Sequence, residues 1–444
     1  MLRLREPRVA ILGVAIDNLT MDEVLDAVEA KIAEGGFHQI ATANVDFLIN
    51  SVRDDELRET LRRCDIVLAD GMPLVWASRL LGTKLKERVT GSDLVPQLAR
   101  LSAEHGYRIY LLGSDEGSSA GAAAWMRRNF PSVCIAGRYC PKFQPLEEMD
   151  HDDILRRIET AQPDILLVAF GNPKQEKWLA MHRHRLKVPV CIGVGGSFDF
   201  LSGRTRRAPS WMQRYGMEWF YRMMQEPSRL VKRYAGNAAG LLRYLPVQLV
   251  VMAAQTKLRS NGQITAETFG TAKVLHIDGN FTGPLLPRFE ADVRSTVLSG
   301  SNVVLDMSNT SYIGADALGS LIYVMNIARC WKREVWLAGL QPVLVRVINA
   351  AQLRPSFRMA GKVAEALRRI ESEPLPVPQY GEESAFVSIG GQLVSVYTQE
   401  MPEVYRQVRL LLQQTVRAEP ISMMPSVGQD QGALNQAMIP VDAA

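Results

Sequence analysis

Two α/β domains, the first built on a Rossmann-like parallel sheet and the second smaller, are what this 444-residue sequence predicts. Three observations carry that expectation. Up to about residue 200, short apolar runs alternate with amphipathic segments, the pattern of repeated βα units sharing one sheet. Several of those runs lead straight into Gly or Asp turns, as in ADGMP from Ala69 and GVGG from Gly193. A shorter alternation of the same kind restarts near Ala272, and the length exceeds what one core ordinarily accommodates.

In the first domain, runs at 9–14, 38–42, 66–69, 108–112, 133–136, 165–170 and 190–194 are short, apolar and bounded by turn formers, so they read as strands. Segments 22–33, 55–63, 92–105, 116–129, 152–160 and 173–185 fit between them as helices. Residues 203–243 follow as one or two helices punctuated by Pro209 and Pro227. A connector then ends in the polar SNGQITAETFG at 260–270. The second pattern runs strand (VLHID), helix 285–299, strand (NVVLDMS), loop, helix 316–330, strand (EVWLAG) and helix 342–351. A Pro/Glu-rich break follows Ile370. Beyond it, 387–415 suits a short hairpin and an amphipathic helix, and composition from about Ala418 suits disorder. The expected division is a core at 1–202, a basic helical appendage at 203–245, a linker at 246–271, the smaller domain at 272–370 and an extension at 371–444.

Composition narrows the class. Hydrophobic residues at 47% and charged residues at 22% fall in the soluble globular range. The longest apolar stretch, 238–254, is broken by Arg243 and Pro246 and falls short of the ~20 residues of a spanning helix. Arg3, Arg5, Glu6 and Arg8 precede a strand-like run rather than a long apolar core, so no signal peptide is expected. Five cysteines without a C-x-x-C pair read as reduced thiols of a cytoplasmic protein. His182 and His184, in MHRHR, have no nearby carboxylate or cysteine to complete a metal site and read as part of a solvated basic helix.

Charge is concentrated in one place. Residues 203–243 carry nine Arg or Lys against Glu218 and Glu226, a balance of +7 in a chain whose total is +4, so the remainder sums to −3. Trp211, Trp219, Phe220 and Tyr221 are interleaved with the cations. Such a mixture suits an anionic partner with apolar parts: a lipid headgroup layer, a lipid diphosphate or a nucleic acid. With the rest of the chain slightly acidic, nucleic acid is not the expected partner. Arg222, Arg229 and Lys232/Arg233 recur at +7 and +10/+11, so on one continuous helix they share a face, expected to meet an anionic membrane.

Individual residues add chemistry. Thr42, Asn44 and Asp46 in TANVD have period-two spacing beyond a strand, which places them on one side of a cleft. Asp70 closes a strand before Gly71, the position of a turn former, a helix cap or an exposed carboxylate. GSDEG at 113–117 is a weak phosphate-loop candidate. Gln175 and Glu176 open a helix introduced by Pro173, where capping is the ordinary role. Asp54–Asp55 and Asp152–Asp153 read as caps, and no D-x-D metal pair lies nearby.

Taken in order, TANVDF, LADGMPLVW, ERVTGSDL, YLLGSDEG, FGNPKQEKW, GVGGSFDFLSG and RRAPSWMQRYGMEWFYRMMQEPSRLVKRY resemble the TagA/WecG/CpsF family of bacterial glycosyltransferases over about residues 8–245. The resemblance implies inverting transfer of an amino sugar or related sugar from a UDP donor to a polyprenyl-diphosphate-linked sugar, without a required metal or other cofactor. It implies Asp70 as general base, Thr42 and Asn44 in the sugar pocket, and Arg88 and Gln175 on the donor's phosphates and sugar. It further implies that Arg222, Arg229, Lys232 and Arg233 face the lipid diphosphate and the bilayer. The enzyme would then be peripheral on the inner face of the cell membrane, serving surface or exopolysaccharide synthesis. Inverting transfer needs a carboxylate opposite the leaving group and positive charge on the departing diphosphate, and these residue types supply both.

VVLDMSNTSYIGADALGSLI at 303–322 looks like part of a STAS domain covering about 272–370. Switching members of that group carry an Asp-Ser pair where Gly314 and Ala315 stand here, so a docking or regulatory module is expected rather than a phospho-switch, despite Ser308, Thr310 and Ser311 nearby. A protein partner through this domain and self-association are both compatible with the sequence. The competing expectation is a non-catalytic scaffold that keeps the fold while the second domain recruits partners. The presence of Asp70, Arg88 and Gln175 together argues against that reading.

Overall fold

A computed structural model describes residues 8–258 and 262–372, with the backbone of strands Ser384–Ile389, Gln392–Tyr397 and Met423–Met424. The chain opens with β1 (Val9–Ile11), β2 (Val14–Ile16), α1 (Met21–Glu34), β3 (His38–Ala43), α2 (Val45–Arg53), α3 (Asp55–Arg63), β4 (Ile66–Ala69) and α4 (Met72–Leu80). It continues with α5 (Gly91–His105), β5 (Arg108–Gly113), α6 (Glu116–Asn129), β6 (Cys134–Tyr139), α7 (His151–Ala161), β7 (Ile165–Ala169), α8 (Lys174–Met181), β8 (Val190–Gly193) and α9 (Ser197–Leu201). Strands β3 to β8 form one sheet in the order β4-β3-β8-β7-β5-β6, with every neighbouring pair parallel. A parallel sheet covered on both faces needs strands apolar throughout, and β3, β4, β7 and β8 are buried at every position. Local chemistry starts the helices: Thr20 and Glu23 form a capping box before α1, and the Thr90 hydroxyl accepts from Asp93 N before α5.

The run 9–14, expected as one strand, is a hairpin outside that sheet. Leu12 and Gly13 both take positive φ, the two-residue turn that a following glycine permits, so β1 and β2 pair antiparallel. Helices α2 and α4, which begin directly after the TAN and ADG turns, were not expected. His182 is buried against Trp178 and His151 rather than solvated, because its ring falls on the packed side of the turn after α8.

The basic segment folds as α10 (Ser210–Arg214), α11 (Glu218–Gln225) and α12 (Pro227–Ala253). The second domain comprises β9 (Gln263–Phe269), β10 (Ala272–Phe281), α13 (Leu286–Leu298), β11 (Asn302–Asp306), β12 (Thr310–Ile313), α14 (Ala315–Cys330), β13 (Val335–Ala338), α15 (Pro342–Ala350), β14 (Arg358–Ala360) and α16 (Val363–Ser372). Its sheet runs β12-β10-β11-β13-β14 in parallel, with β9 added antiparallel to β10. The segment 246–271, expected as a linker, is largely regular: α12 continues through Pro246, and β9 occupies most of the polar stretch. Ile264 is the one buried residue of β9, so its main chain is held by pairing rather than by an apolar face, which is why the pattern is missed. In the extension, Ser384–Ile389 and Gln392–Tyr397 pair as a hairpin that begins three residues before the expected 387–415. The amphipathic helix expected there lies outside the described residues; of the stretch expected to be disordered, Met423–Met424 is described and pairs with Ser384–Ile389 as a strand.

The two domains share one apolar cluster, in which β1 and β2 pack with α12, α13, α14 and α15. Gly319 on α14 lies so close to the first domain that a Cβ there would stand 2.5 Å from the Arg8 carbonyl oxygen. The Arg8 guanidinium covers the Tyr323 ring at 3.9 Å and pairs with buried Asp17 at 2.9 Å. Two buried glutamines, Gln248 on α12 and Gln255 just past its end, complete the joint. Gln248 accepts from Leu12 N (3.1 Å) and donates to Ala10 O (3.0 Å), while Gln255 accepts from Ile313 N (2.9 Å) and donates to Ile313 O (3.1 Å). In the second domain Arg358 and Arg369 flank Trp336, but Glu334 and Glu365 pair with them, so this basic group is balanced.

Candidate active site

The strands of the first sheet point their carboxyl ends at one crevice, where Asn44, Asp70, Ser114, Asn172 and Gly195 begin the connecting turns. Asp70 follows β4, and its amide donates to Ala43 O of the neighbouring strand at 2.7 Å, which fixes the turn. Gly71, at φ +146°, then bends the chain into α4 in a conformation side-chain-bearing residues rarely adopt. The half-buried Asp70 carboxylate accepts Gly91 N–H at 3.3 Å, at the N-terminus of α5. Burial pushes its pKa up to about 6, raised further by Glu218 and opposed by the Gly91 bond, Arg88 and Arg222. A carboxyl group of this kind is ionised at neutral pH yet basic enough to take a proton.

Arginines line the same place. Arg88 pairs with Glu218 at 3.2 Å and with Asp93 at 3.4 Å. Arg207, from the appendage, pairs with Asp93 at 2.7 Å and approaches Glu218 at 3.6 Å. Arg222 lies over the Phe200 ring at 4.8 Å, and its Nη2 stands 3.4 Å from where a Cβ on Gly196 would be. Buried Nε of Arg222 and buried Nε and Nη2 of Arg207 have no hydrogen-bond partner.

Other expected site residues are committed within the protein. Thr42, buried at the end of β3, donates its hydroxyl to Gly193 O at 3.1 Å. Asn44 caps α2, accepting from Asp46 N and Phe47 N. Gln175 is 1% exposed; its carbonyl accepts Gly171 N–H and Gly195 N–H at 3.1 Å each, and its amide donates to Glu176 at 2.7 Å. Contact between Gln175 and a ligand therefore requires exchanging one of these bonds. Gly193 is obligatory beside them, since a Cβ would come within 2.5 Å of Gln175 Nε2.

The appendage cations do not share one face. Helix α11 ends at Glu226 and α12 restarts with Pro227 in its first position, because proline cannot continue the preceding hydrogen-bond ladder. Arg222 consequently turns into the crevice. Arg233 pairs with Asp46 at 3.1 Å, next to an Asn237–Asp46 bond, and so anchors α12 to α2 while its side chain stays 45% exposed. Lys232 is exposed, and the Arg229 side chain lies outside the described residues. Trp76 and Leu80 of α4 are exposed, as are Trp211, Tyr215 and Trp219 of the appendage, and the two segments meet where Gly216 packs on Met72 and Trp76.

A sequence profile of the glycosyl transferase WecG/TagA/CpsF family matches residues 9–255, more than half of the chain. The chain belongs to that family. Over 190 residues this glycosyltransferase is 34% identical to the N-acetylglucosaminyldiphosphoundecaprenol N-acetyl-beta-D-mannosaminyltransferase of Bacillus subtilis (strain 168), a match of 43% of this chain and 72% of that one. The protein of the same name from Staphylococcus aureus (strain MRSA252) is 26% identical over 255 residues, 57% of this chain and 95% of its own. A STAS domain profile matches residues 263–366, which includes β9. The anti-sigma factor antagonist SpoIIAA in its unphosphorylated form aligns with 25% of this chain and 97% of its own, at 15% identity and a TM-score of 0.23.

Arg207, Asp93, Glu218 and Glu176 of this glycosyltransferase escaped the sequence reading. Glu218 carried a signal: an acid set among nine cations is placed to neutralise some of them. Glu176 sits in the NPKQE block beside Gln175, but only the folded chain shows its carboxylate accepting from Gln175 and from Asn172 at 3.0 Å. Among the described residues, no three His, Cys, Asp or Glu side chains converge as a metal site, and no helix is long and apolar enough to cross a membrane.

Proposed function

We propose that this enzyme transfers an N-acetylmannosamine-type sugar, a uronate or a hexose from a UDP donor to a polyprenyl-diphosphate-linked sugar, with inversion, during synthesis of a surface or exported polysaccharide. The placement of Asp70 carries the reading: a carboxylate of raised pKa at the end of a parallel strand, held by Gly91 N–H and ringed by Arg88 and Arg222. The names of the two relatives support a lipid-linked acceptor. In the proposed step the acceptor hydroxyl attacks the donor's anomeric carbon from the face opposite UDP. The new carbon–oxygen bond forms as the bond to the diphosphate oxygen breaks, and the hydroxyl proton passes to Asp70. Arg88 and Arg222 offset the charge that builds on the leaving diphosphate, a role a metal ion fills elsewhere.

The outward Trp211, Tyr215 and Trp219, with exposed Lys232, suit attachment to an anionic bilayer, where the acceptor's isoprenoid chain resides. We place the protein as a peripheral enzyme of the membrane's inner face. The deciding assay supplies UDP-sugars and a short-chain lipid-diphosphate sugar and measures UDP release. Wild type should turn over with at least one donor and Asp70→Asn should not; Asp70→Asn activity above about a tenth of wild type would remove Asp70 from the role of base.

A further inference from the structure

We propose that Arg88 and Arg207 form a diphosphate site that Glu218 occupies in the unliganded enzyme, so that substrate binds by displacing this internal carboxylate. The inference rests on the glycosyltransferase reading and adds two residues, Arg207 and Glu218, to its site.

Four side chains close a ring. Arg88 Nη1 meets Glu218 Oε2 at 3.2 Å, Glu218 Oε1 faces Arg207 Nε at 3.6 Å, Arg207 Nη1 meets Asp93 Oδ1 at 2.7 Å, and Asp93 Oδ2 meets Arg88 Nη2 at 3.4 Å. Two guanidinium groups bridged by the two oxygens of one anion is the arrangement they adopt around a phosphate. Glu218 fills that place imperfectly. Its contact with Arg207 is too long for a hydrogen bond, and Arg207 Nε and Nη2 remain buried without a partner. Arg222 Nε, across Phe200 from Arg207, is in the same condition. A tetrahedral diphosphate has more oxygens to offer and reaches donors that a planar carboxylate leaves unsatisfied.

The two acids of the ring are not equivalent. Asp93 stands in the first turn of α5, where the Thr90 hydroxyl donates to it at 2.7 Å, so it is fixed to the core. Glu218 is the first residue of α11 in the appendage, and its carboxylate has only the ring's two arginines as ion-pair partners among the described residues. Glu218 is therefore the acid that moves, and its movement separates α11 from Arg88. Glu218 also raises Asp70's pKa, so exchanging it for a diphosphate, itself an anion, changes the charge beside the base. Binding of substrate and tuning of the base are coupled through one side chain.

Donor and acceptor both carry a diphosphate, and binding measurements with each separate the two. Calorimetric titration with UDP, and in parallel with a short-chain prenyl diphosphate, should show Glu218→Gln tightening whichever ligand uses the site by about fivefold, the scale of one partly exposed ion pair. Arg207→Gln should weaken the same ligand by about tenfold, and Arg207→Lys should restore part of the loss. A gain with UDP alone assigns the ring to the donor, and a gain with the prenyl diphosphate alone assigns it to the acceptor. Trp219 adjoins Glu218, so ligand should change the tryptophan emission of wild type, and Trp219→Phe should abolish the change. If both ligands bind wild type while Glu218→Gln binds them equally or more weakly, Glu218 only supports Arg88 and the proposal fails. If wild type binds neither, both this inference and the glycosyltransferase reading fail.

Discussion

The Asp70 carboxylate and the Gly91 amide, 21 residues apart, meet at 3.3 Å where β4 ends and α5 begins. That bond holds the carboxyl group at the crevice while burial keeps its pKa near 6. Below that pH the base is protonated, so kcat/KM should fall about tenfold per pH unit and level off above pH 7. A flat profile from pH 5 to 8 in buffers of constant ionic strength would remove proton transfer to Asp70 from the step that limits kcat/KM.

The same shift predicts a cost in stability. A carboxyl group whose folded pKa exceeds its unfolded value stabilises the fold below about pH 4 and loses that contribution as pH rises through 6. Discounted for partial exposure, ionised Asp70 costs about 1–2 kcal/mol at pH 7. Asp70→Asn should therefore be inactive and yet more stable than wild type at pH 7, with the difference shrinking toward pH 4. Urea unfolding at the two pH values checks the sign.

Glu176 is the support beneath the crevice. Buried to 1% exposure, its carboxyl is pushed up to about 7 by desolvation, while its bonds from Gln175 and Asn172 pull the other way. Glu176→Ala leaves the buried Gln175 amide and the partly buried Asn172 amide without their acceptor, at a cost of about 2 kcal/mol. Because Gln175 also holds Gly171 and Gly195, donor KM should rise with it. Unchanged urea midpoint and KM would show that the two loops hold themselves.

The alternation of the first 200 residues exposed the sheet because parallel strands buried on both faces are mostly apolar, as β4, β7 and β8 are throughout, while β3 buries His38, Gln39 and Thr42 as well. Asp70 was recognisable as a carboxylate placed in a turn, with capping an equal reading, and Arg88 only through the family resemblance. The Arg207–Asp93 and Arg88–Glu218 pairs were not, since partners 114 and 130 residues apart leave no local trace. The β1–β2 hairpin was misread for a related reason: its residues are apolar because α14 of the other domain covers them. The inward turn of Arg222 depends on the helix break at Pro227, which a continuous helical wheel ignores.

That break divides the appendage cations into two functions. Lys232 is exposed, so Lys232→Glu should weaken sedimentation with phosphatidylserine vesicles by about tenfold, two charge units at about 1 kcal/mol each offset by partial screening. Turnover of a soluble short-chain acceptor should be nearly unchanged. Arg222→Gln should do the reverse, lowering turnover of the soluble acceptor with little effect on vesicle binding. Equal loss of vesicle binding in both variants would mean that Arg222 also faces the bilayer.

The joint between the domains is tight enough to make them unfold together. The Gly319 Cβ position, 2.5 Å from the Arg8 carbonyl oxygen, has no room for a side chain, and the obstacle is backbone that cannot rotate away. Gly319→Val should push β1 off α14 and break the Gln255–Ile313 pair that reaches the same joint from the turn after α12. Each domain retains its own sheet, so separation should not abolish either fold. Calorimetry of wild type should give one cooperative transition and Gly319→Val two, with the lower one shifted down by several degrees. A single transition in the variant, displaced but not split, would show that the second domain has no stability of its own and needs the hairpin as part of its core.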